Sequence, residues 1–136
     1  MYPEALVKPM KNELTSLGFE DLTTPDAVEK AVGSQGTVLV VVNSVCGCAA
    51  GAARPGVRKS LENAKKPTKL ATVFAGFDID AVAQARKHFS PYPPSSPAIA
   101  LFKDGELVHF VERHHIEGRN ADMIAEHLKM AYEEFC

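Results

Sequence analysis

Leu6, Met10, Leu14 and Leu17 fall at helical spacing, which predicts a first helix with Pro3 in its first turn, Pro9 bending it and Gly18 ending it. Phe19 to Leu22 then reads as a short strand. Thr24-Pro25-Asp26 supplies an N-cap, an N1 proline and an acidic first turn for a second helix carrying Ala27, Val28, Ala31 and Val32. Thr37 to Val42 is β-branched and apolar without alternation, the pattern of a central strand covered on both faces. The small residues from Ala49 to Ala53 favour helix, and Pro55 predicts a kink at Arg54 before that helix runs on through Val57 and Leu61.

Leu70 to Phe74 is a further apolar strand. Asp78 is the expected N-cap of a helix carrying Ile79, Val82, Ala85, Arg86 and Phe89, and the proline-rich stretch from Pro91 to Pro97 is an irregular loop. Ala98 to Phe102 and Glu106 to Val111 flank Lys103-Asp104-Gly105, so they form an antiparallel hairpin. Ala121, Ile124, Ala125, Leu128, Tyr132 and Phe135 form a last helix capped by Asn120. This order predicts one domain over 1–136, an α/β/α three-layer sandwich on a central mixed sheet that closes with a hairpin and a helix, matching the thioredoxin-like fold.

Composition narrows the function. At 136 residues with 46% hydrophobic and 24% charged positions the chain can bury a core without disulfides or metals as staples, which leaves its cysteines free for chemistry. Fifteen basic against seventeen acidic residues, with no run of like charge, predict no nucleic-acid partner. Apolar runs of at most five residues predict no membrane span, and the N-terminus does not read as a secretory signal. A cytoplasmic location is therefore expected, where three cysteines suggest catalysis or metal binding rather than a structural disulfide framework.

Cys46 and Cys48 flank Gly47 at the junction between the central strand and the following helix. Free amide groups and the positive end of the helix dipole favour a thiolate there, and Cys46 is placed to feel them. Residues i and i+2 of a helix point apart, so Cys46 has to precede the first turn if the two sulfurs are to meet. Gly47 can take the backbone angles that bring them together. The loop-entropy relation gives so short a ring only about 1.6 kcal/mol before strain, so a disulfide there is readily reduced and suits isomerisation better than strong reduction. Cys136, the last residue, is a third thiol that is either spare or resolving.

The stretch Val41-Val42-Asn43-Ser44-Val45-Cys46-Gly47-Cys48-Ala49-Ala50-Gly51, continuing through Ala53-Arg54-Pro55, closely resembles the bacilliredoxin family. The likeness extends to Leu22-Thr23-Thr24, Thr72-Val73-Phe74-Ala75-Gly76, Pro94-Ser95-Ser96-Pro97, the Val108-His109-Phe110 and Arg113-His114 segments, Ile116-Glu117-Gly118 and the C-terminal cysteine. It implies removal of bacillithiol from mixed disulfides on client proteins, together with disulfide isomerase activity. Bacillithiol then serves as a thiol co-substrate, with no bound cofactor or metal. Cys46 would attack and Cys48 would resolve; Pro97 would be cis, and Gly47, Ser96 and Pro97 would shape a groove that holds the client strand-wise. Because bacillithiol is anionic, Arg54, Arg113 and His114 are candidate ligands. The sequence departs from the family at His115, where related sequences look acidic.

Two other readings fit the same residues. A metal or iron-sulfur protein would use Cys46, Cys48 and Cys136 as ligands, but such clusters commonly take four thiolates. His114 and His115 could add nitrogen for zinc, although neighbouring side chains are expected to point apart. The other reading is a non-enzymatic interaction module on the same scaffold.

Overall fold

The structure, a computed structural model, describes all residues 1–136. Five strands form one mixed sheet: β1 (Glu20–Asp21), β2 (Thr37–Asn43), β3 (Lys69–Phe74), β4 (Ala98–Lys103) and β5 (Glu106–Val111), in the spatial order β1-β3-β2-β4-β5. β1 and β2 both run parallel to β3, whereas β4 is antiparallel to β2 and β5 to β4. β2 is thus the middle strand, with Val40 between Ala71 of β3 and Ala100 of β4. Every residue of β2 is buried.

The helices are α1 (Glu4–Thr15), α2 (Pro25–Val32), α3 (Arg54–Ser60), α4 (Ile79–Arg86) and α5 (Ala121–Phe135). The pleat of β2 sends Val38, Val40 and Val42 into one core with Val28 of α2, Val82 of α4 and Phe89. Leu39 and Val41 enter the other core with Leu14 of α1, Val57 of α3 and Ile124 and Leu128 of α5. A strand buried on both faces has no polar side to mark, which is why its sequence shows no alternation.

Local chemistry explains most element ends. The Thr24 hydroxyl accepts from the Ala27 amide 3.2 Å away at the start of α2, and Asn120 Oδ1 accepts from Met123 at 2.9 Å at the start of α5. Asp104 and Gly105 both take positive φ, 51° and 85°, in the turn between β4 and β5. Three expectations fail. In α1 it is Val7 and Leu14 that are buried, while Leu6 faces solvent at 43% exposure. Asp78 precedes α4 but makes no cap, because its carboxylate binds Lys11 Nζ at 2.7 Å. Rather than one kinked helix after the cysteines, Ala49–Ala53 forms a π-helical turn and α3 starts afresh with Pro55 in its first turn.

α3 and α5 cross closely at Gly56. A Cβ at this position would lie 2.7 Å from Cβ and Cγ2 of Ile124 and 3.1 Å from the carbonyl oxygen of Ala121. The absence of a side chain at Gly56 therefore sets the spacing of the two helices.

Candidate active site

Beyond Asn43 the chain leaves the sheet and turns into the helical segment that carries the cysteines, and a buried polar strut fixes that turn. Arg54, only 3% exposed, donates through Nη1 to Asn43 Oδ1 at 2.9 Å and to the Ser44 carbonyl at 2.8 Å. Asn43 Nδ2 donates to the Met10 carbonyl at 3.1 Å, and its Oδ1 also accepts the Ser44 amide at 2.9 Å. Arg54 Nε lies 3.2 Å from Glu13 Oε1, close enough for charge pairing though not aligned as a hydrogen bond. Arg54 is thus spent on the loop backbone, which removes it from the candidate ligands of an anionic thiol.

Cys46 stands where the helical segment opens. Its amide is 3.0 Å from Ser44 Oγ, and its carbonyl accepts from the amides of Ala49 and Ala50 at 3.0 and 3.3 Å. Cys46 therefore precedes the first turn while Cys48 lies in helical geometry, with φ −71° and ψ −24°. Gly47 between them leaves the space beside its Cα open. The two sulfurs are 2.7 Å apart, and both cysteines are partly exposed.

Their titrations are driven in opposite directions. The hydrogen bond with the Cys48 sulfur, then the Cys48 and Ala49 amides and the positive charge of Arg113, hold Cys46 below an ordinary thiol. Burial first, then its hydrogen bond to Cys46 and the charge of that sulfur, push Cys48 up. The surroundings thus favour ionisation at Cys46 over Cys48.

The loop before β4 closes the site from the other side. The Ser96–Pro97 bond is cis, as is Ser90–Pro91. Two arginines brace this loop: Arg86 Nη1 donates to the Ser95 carbonyl at 3.0 Å, and Arg113 Nη1 to the Ser96 carbonyl at 3.3 Å. The Arg113 amide in turn donates to Ser95 Oγ at 3.2 Å. A cleft of about 400 Å³ opens between this loop and Cys46 and is lined by Ser44, Cys46, Gly76, Arg86, Ser96 and Arg113, among others. Arg113 takes one of the two acceptor positions of the Ser96 carbonyl, which leaves the other for a client that pairs strand-wise there. Arg86 escaped the sequence reading as a site residue, and no local signal marks it, because the sheet order brings it to the cysteines.

Cys136 is not brought to the pair. Its sulfur titrates under the influence of Thr37 and Lys103, at the opposite end of β2 from Asn43, roughly 20 Å away at about 3.3 Å per strand residue. One chain therefore does not gather Cys46, Cys48 and Cys136 into a ligand set. His114 and His115 do not point apart as expected: they lie on a 3-10 turn (Arg113–His115), their ring centroids are 4.0 Å apart, and with Glu112 they offer donor atoms within 4.8 Å of one another.

The fold and sequence find close counterparts. The oxidised form of mitochondrial thioredoxin 3 from Saccharomyces cerevisiae superposes with a TM-score of 0.61 at 15% identity, over 90% of this chain and 98% of that one. This likeness establishes the thioredoxin-like fold. The family model described as disulphide isomerase matches residues 2–136. A bacilliredoxin from Cytophaga hutchinsonii is 69% identical over 134 residues, 98% of this chain and 99% of that protein. Another, from Koribacter versatilis, is 51% identical over 100% of this chain and 94% of that protein. With a lowered-pKa cysteine at a helix entry on a thioredoxin-like scaffold, and this identity along its whole length, the chain belongs to the bacilliredoxin family of thiol-disulfide oxidoreductases.

Proposed function

We propose that this protein removes bacillithiol from mixed disulfides on cytoplasmic client proteins, with Cys46 as the nucleophile. The observation that carries the reading is the pair of sulfurs 2.7 Å apart at a helix entry, with Cys46 lining a cleft opposite the cis Ser96–Pro97 bond, where the surroundings hold the Cys46 thiol down and push Cys48 up. The Cys46 thiolate attacks the bacillithiol sulfur, the client sulfur leaves as a thiolate and takes a proton from water, and Cys46 is left in a mixed disulfide with bacillithiol. Cys48 then resolves it. Capping Cys46 removes the negative charge and the hydrogen bond that raise the Cys48 pKa, so only burial still opposes its ionisation. Its thiolate attacks Cys46, forms the Cys46–Cys48 disulfide and expels bacillithiol, which takes up the proton that Cys48 gave up. A thiol reductant returns the pair to its starting state. Because so short a ring is easily reopened, the same pair also suits disulfide isomerisation.

The test is intact-mass analysis of the reduced protein mixed with a peptide carrying a bacillithiol mixed disulfide. Wild type should release the free peptide thiol and collect as the internal disulfide. Cys48→Ser should stall with one bacillithiol on Cys46, and Cys46→Ser should accept none. A Cys46→Ser protein that still takes up bacillithiol overturns the assignment.

A further inference from the structure

The arginines beside the cleft raise a question that thiol chemistry alone does not answer. Arg86 is half-buried, and burial disfavours its charged form, yet no carboxylate lies within 4.0 Å of it. Arg113 spends Nε on Glu117, 2.6 Å away, and Nη1 on the Ser96 carbonyl. Each guanidinium thus commits one Nη to the Ser95–Ser96 backbone and keeps its other Nη group without a protein partner. The cleft they share with Cys46 has no acidic side chain in its lining. Arg86 is thus a partly desolvated cation without a counter-ion, which is costly unless an anion arrives to pair with it, and Arg113 adds an exposed guanidinium to the lining of the same cleft.

We propose that Arg86 and Arg113 form a clamp for a carboxylate on the small thiol held in the mixed disulfide, so that the cleft selects carboxylate-bearing low-molecular-weight thiols over neutral ones. The inference rests on the function proposed above and names the recognition chemistry of the same site. The two planar guanidiniums, each bonded to one of the adjacent Ser95 and Ser96 carbonyls, can offer their remaining donors in the fork that a carboxylate matches. Cys46 lines the same cleft, so a thiol whose carboxylate sits on the arginines has its own sulfur near the nucleophile. Glu117 faces Arg113 from the exposed side and is the one protein carboxylate that competes.

The experiment compares two disulfide reagents on the reduced protein, with the modified cysteine located by peptide mass spectrometry. In 5,5′-dithiobis(2-nitrobenzoate) each half carries a carboxylate, whereas 4,4′-dithiodipyridine is neutral. Both react by thiolate attack on the S–S bond with expulsion of one aromatic thiolate, so the ratio of their rates at Cys46 cancels any change in thiolate fraction. Arg86→Gln should lower the carboxylate-to-neutral ratio about fivefold, the effect of one nearby charge at high dielectric, and Arg86→Gln with Arg113→Gln should lower it further. Arg86→Lys, which keeps the charge but loses the fork, should fall between. In wild type, raising the salt to about 1 M, where screening acts over about 3 Å, should lower the ratio without any substitution. An arginine that merely braces the loop would change both rates together and leave the ratio untouched, and that result, or a salt-independent ratio, overturns the clamp. A Cys46 that reacts with neither reagent refutes the nucleophile assignment instead, so the two failures are distinguishable.

Discussion

Replacing Gly56 with alanine tests whether the α3–α5 crossing sets the geometry of this fold. The new Cβ would sit 2.7 Å from two carbons of Ile124 and 3.1 Å from the Ala121 carbonyl oxygen, whereas carbon atoms in contact prefer about 3.5–4.0 Å. None of the three atoms is the free end of a flexible side chain: one is backbone, and the Cβ and Cγ2 of Ile124 are held by a β-branched side chain that is 1% exposed. The helices therefore have to separate by about 1 Å, and overpacking of this kind costs about 1–3 kcal/mol. A 2.7 Å approach belongs in the upper part of that range, about 2–3 kcal/mol, and alanine recovers about 1 kcal/mol over glycine inside a helix, so the net loss should be about 1–2 kcal/mol. For a chain of this size that lowers Tm by about 2–8 °C in a calorimetric or circular-dichroism melt. In an Ile124→Ala background Cγ2 is gone, and the same substitution should cost at least about 0.5 kcal/mol less. An unchanged or raised Tm in the single variant would refute the close crossing, and strict additivity in the pair would refute Ile124 as the obstacle.

Two further outcomes follow from the titrations. The midpoint for alkylation of Cys46 should lie below that of an ordinary thiol; Cys48→Ala should raise it most, because it removes the largest stabilising contact, and Arg113→Gln should raise it less, while an unmoved midpoint in Cys48→Ala would remove the basis of the assignment. His109 and His127 approach to 2.8 Å between their Nε2 atoms, and burial holds both below the usual imidazole value against the opposing pull of Glu134 on His109, with His115 and Arg119 adding positive charge nearby. The unfolded chain thus binds protons first, so their contribution to stability is complete above about pH 6.5 and declines as pH falls through that value; chemical denaturation between pH 8 and 5 should show that decline, and His127→Gln should flatten it.

What could be read from the sequence is what local chemistry decides. β2 announces itself because burial on both faces removes alternation, α2 because Thr24 and Pro25 fill the positions where a helix start has free amides, and the β4–β5 turn because Asp104 and Gly105 accept positive φ. Cys46 and Cys48 belong to this class, since a strand end followed by a helix start is a local event. Leu6 misleads because Val7 and Leu14 define an equally helical stripe, and only the packing of α1 against the sheet chooses between them. Asp78 misleads because Lys11, distant in sequence, outbids the backbone amides for its carboxylate. Arg86 meets Cys46 only after β3, which precedes α4, has paired beside β2, so no spacing along the chain encodes it. The C-terminal position of Cys136 is equally silent about which end of β2 receives it.

The π-helical turn joins the local and the distant parts of the site. Proline has no amide to give the Gly51 carbonyl, so an α-helix running through Pro55 would leave that carbonyl unmatched. The chain instead widens: the Arg54 amide reaches back five residues to the Ala49 carbonyl, and α3 begins at Arg54 with Pro55 in its first turn, where a missing amide costs nothing. One extra residue in a turn rotates everything after it by about 100° relative to an unbroken α-helix. That rotation determines where Arg54 points, and it points at Asn43 and the Ser44 carbonyl. The widened turn needs small side chains where it packs against α5, which Ala49, Ala52 and Ala53 supply from within the buried core. The alanine run and the proline, which look like a helix former and a helix breaker in conflict, are thus two requirements of one device, and the Arg54 strut that results holds the loop from which Cys46 is presented.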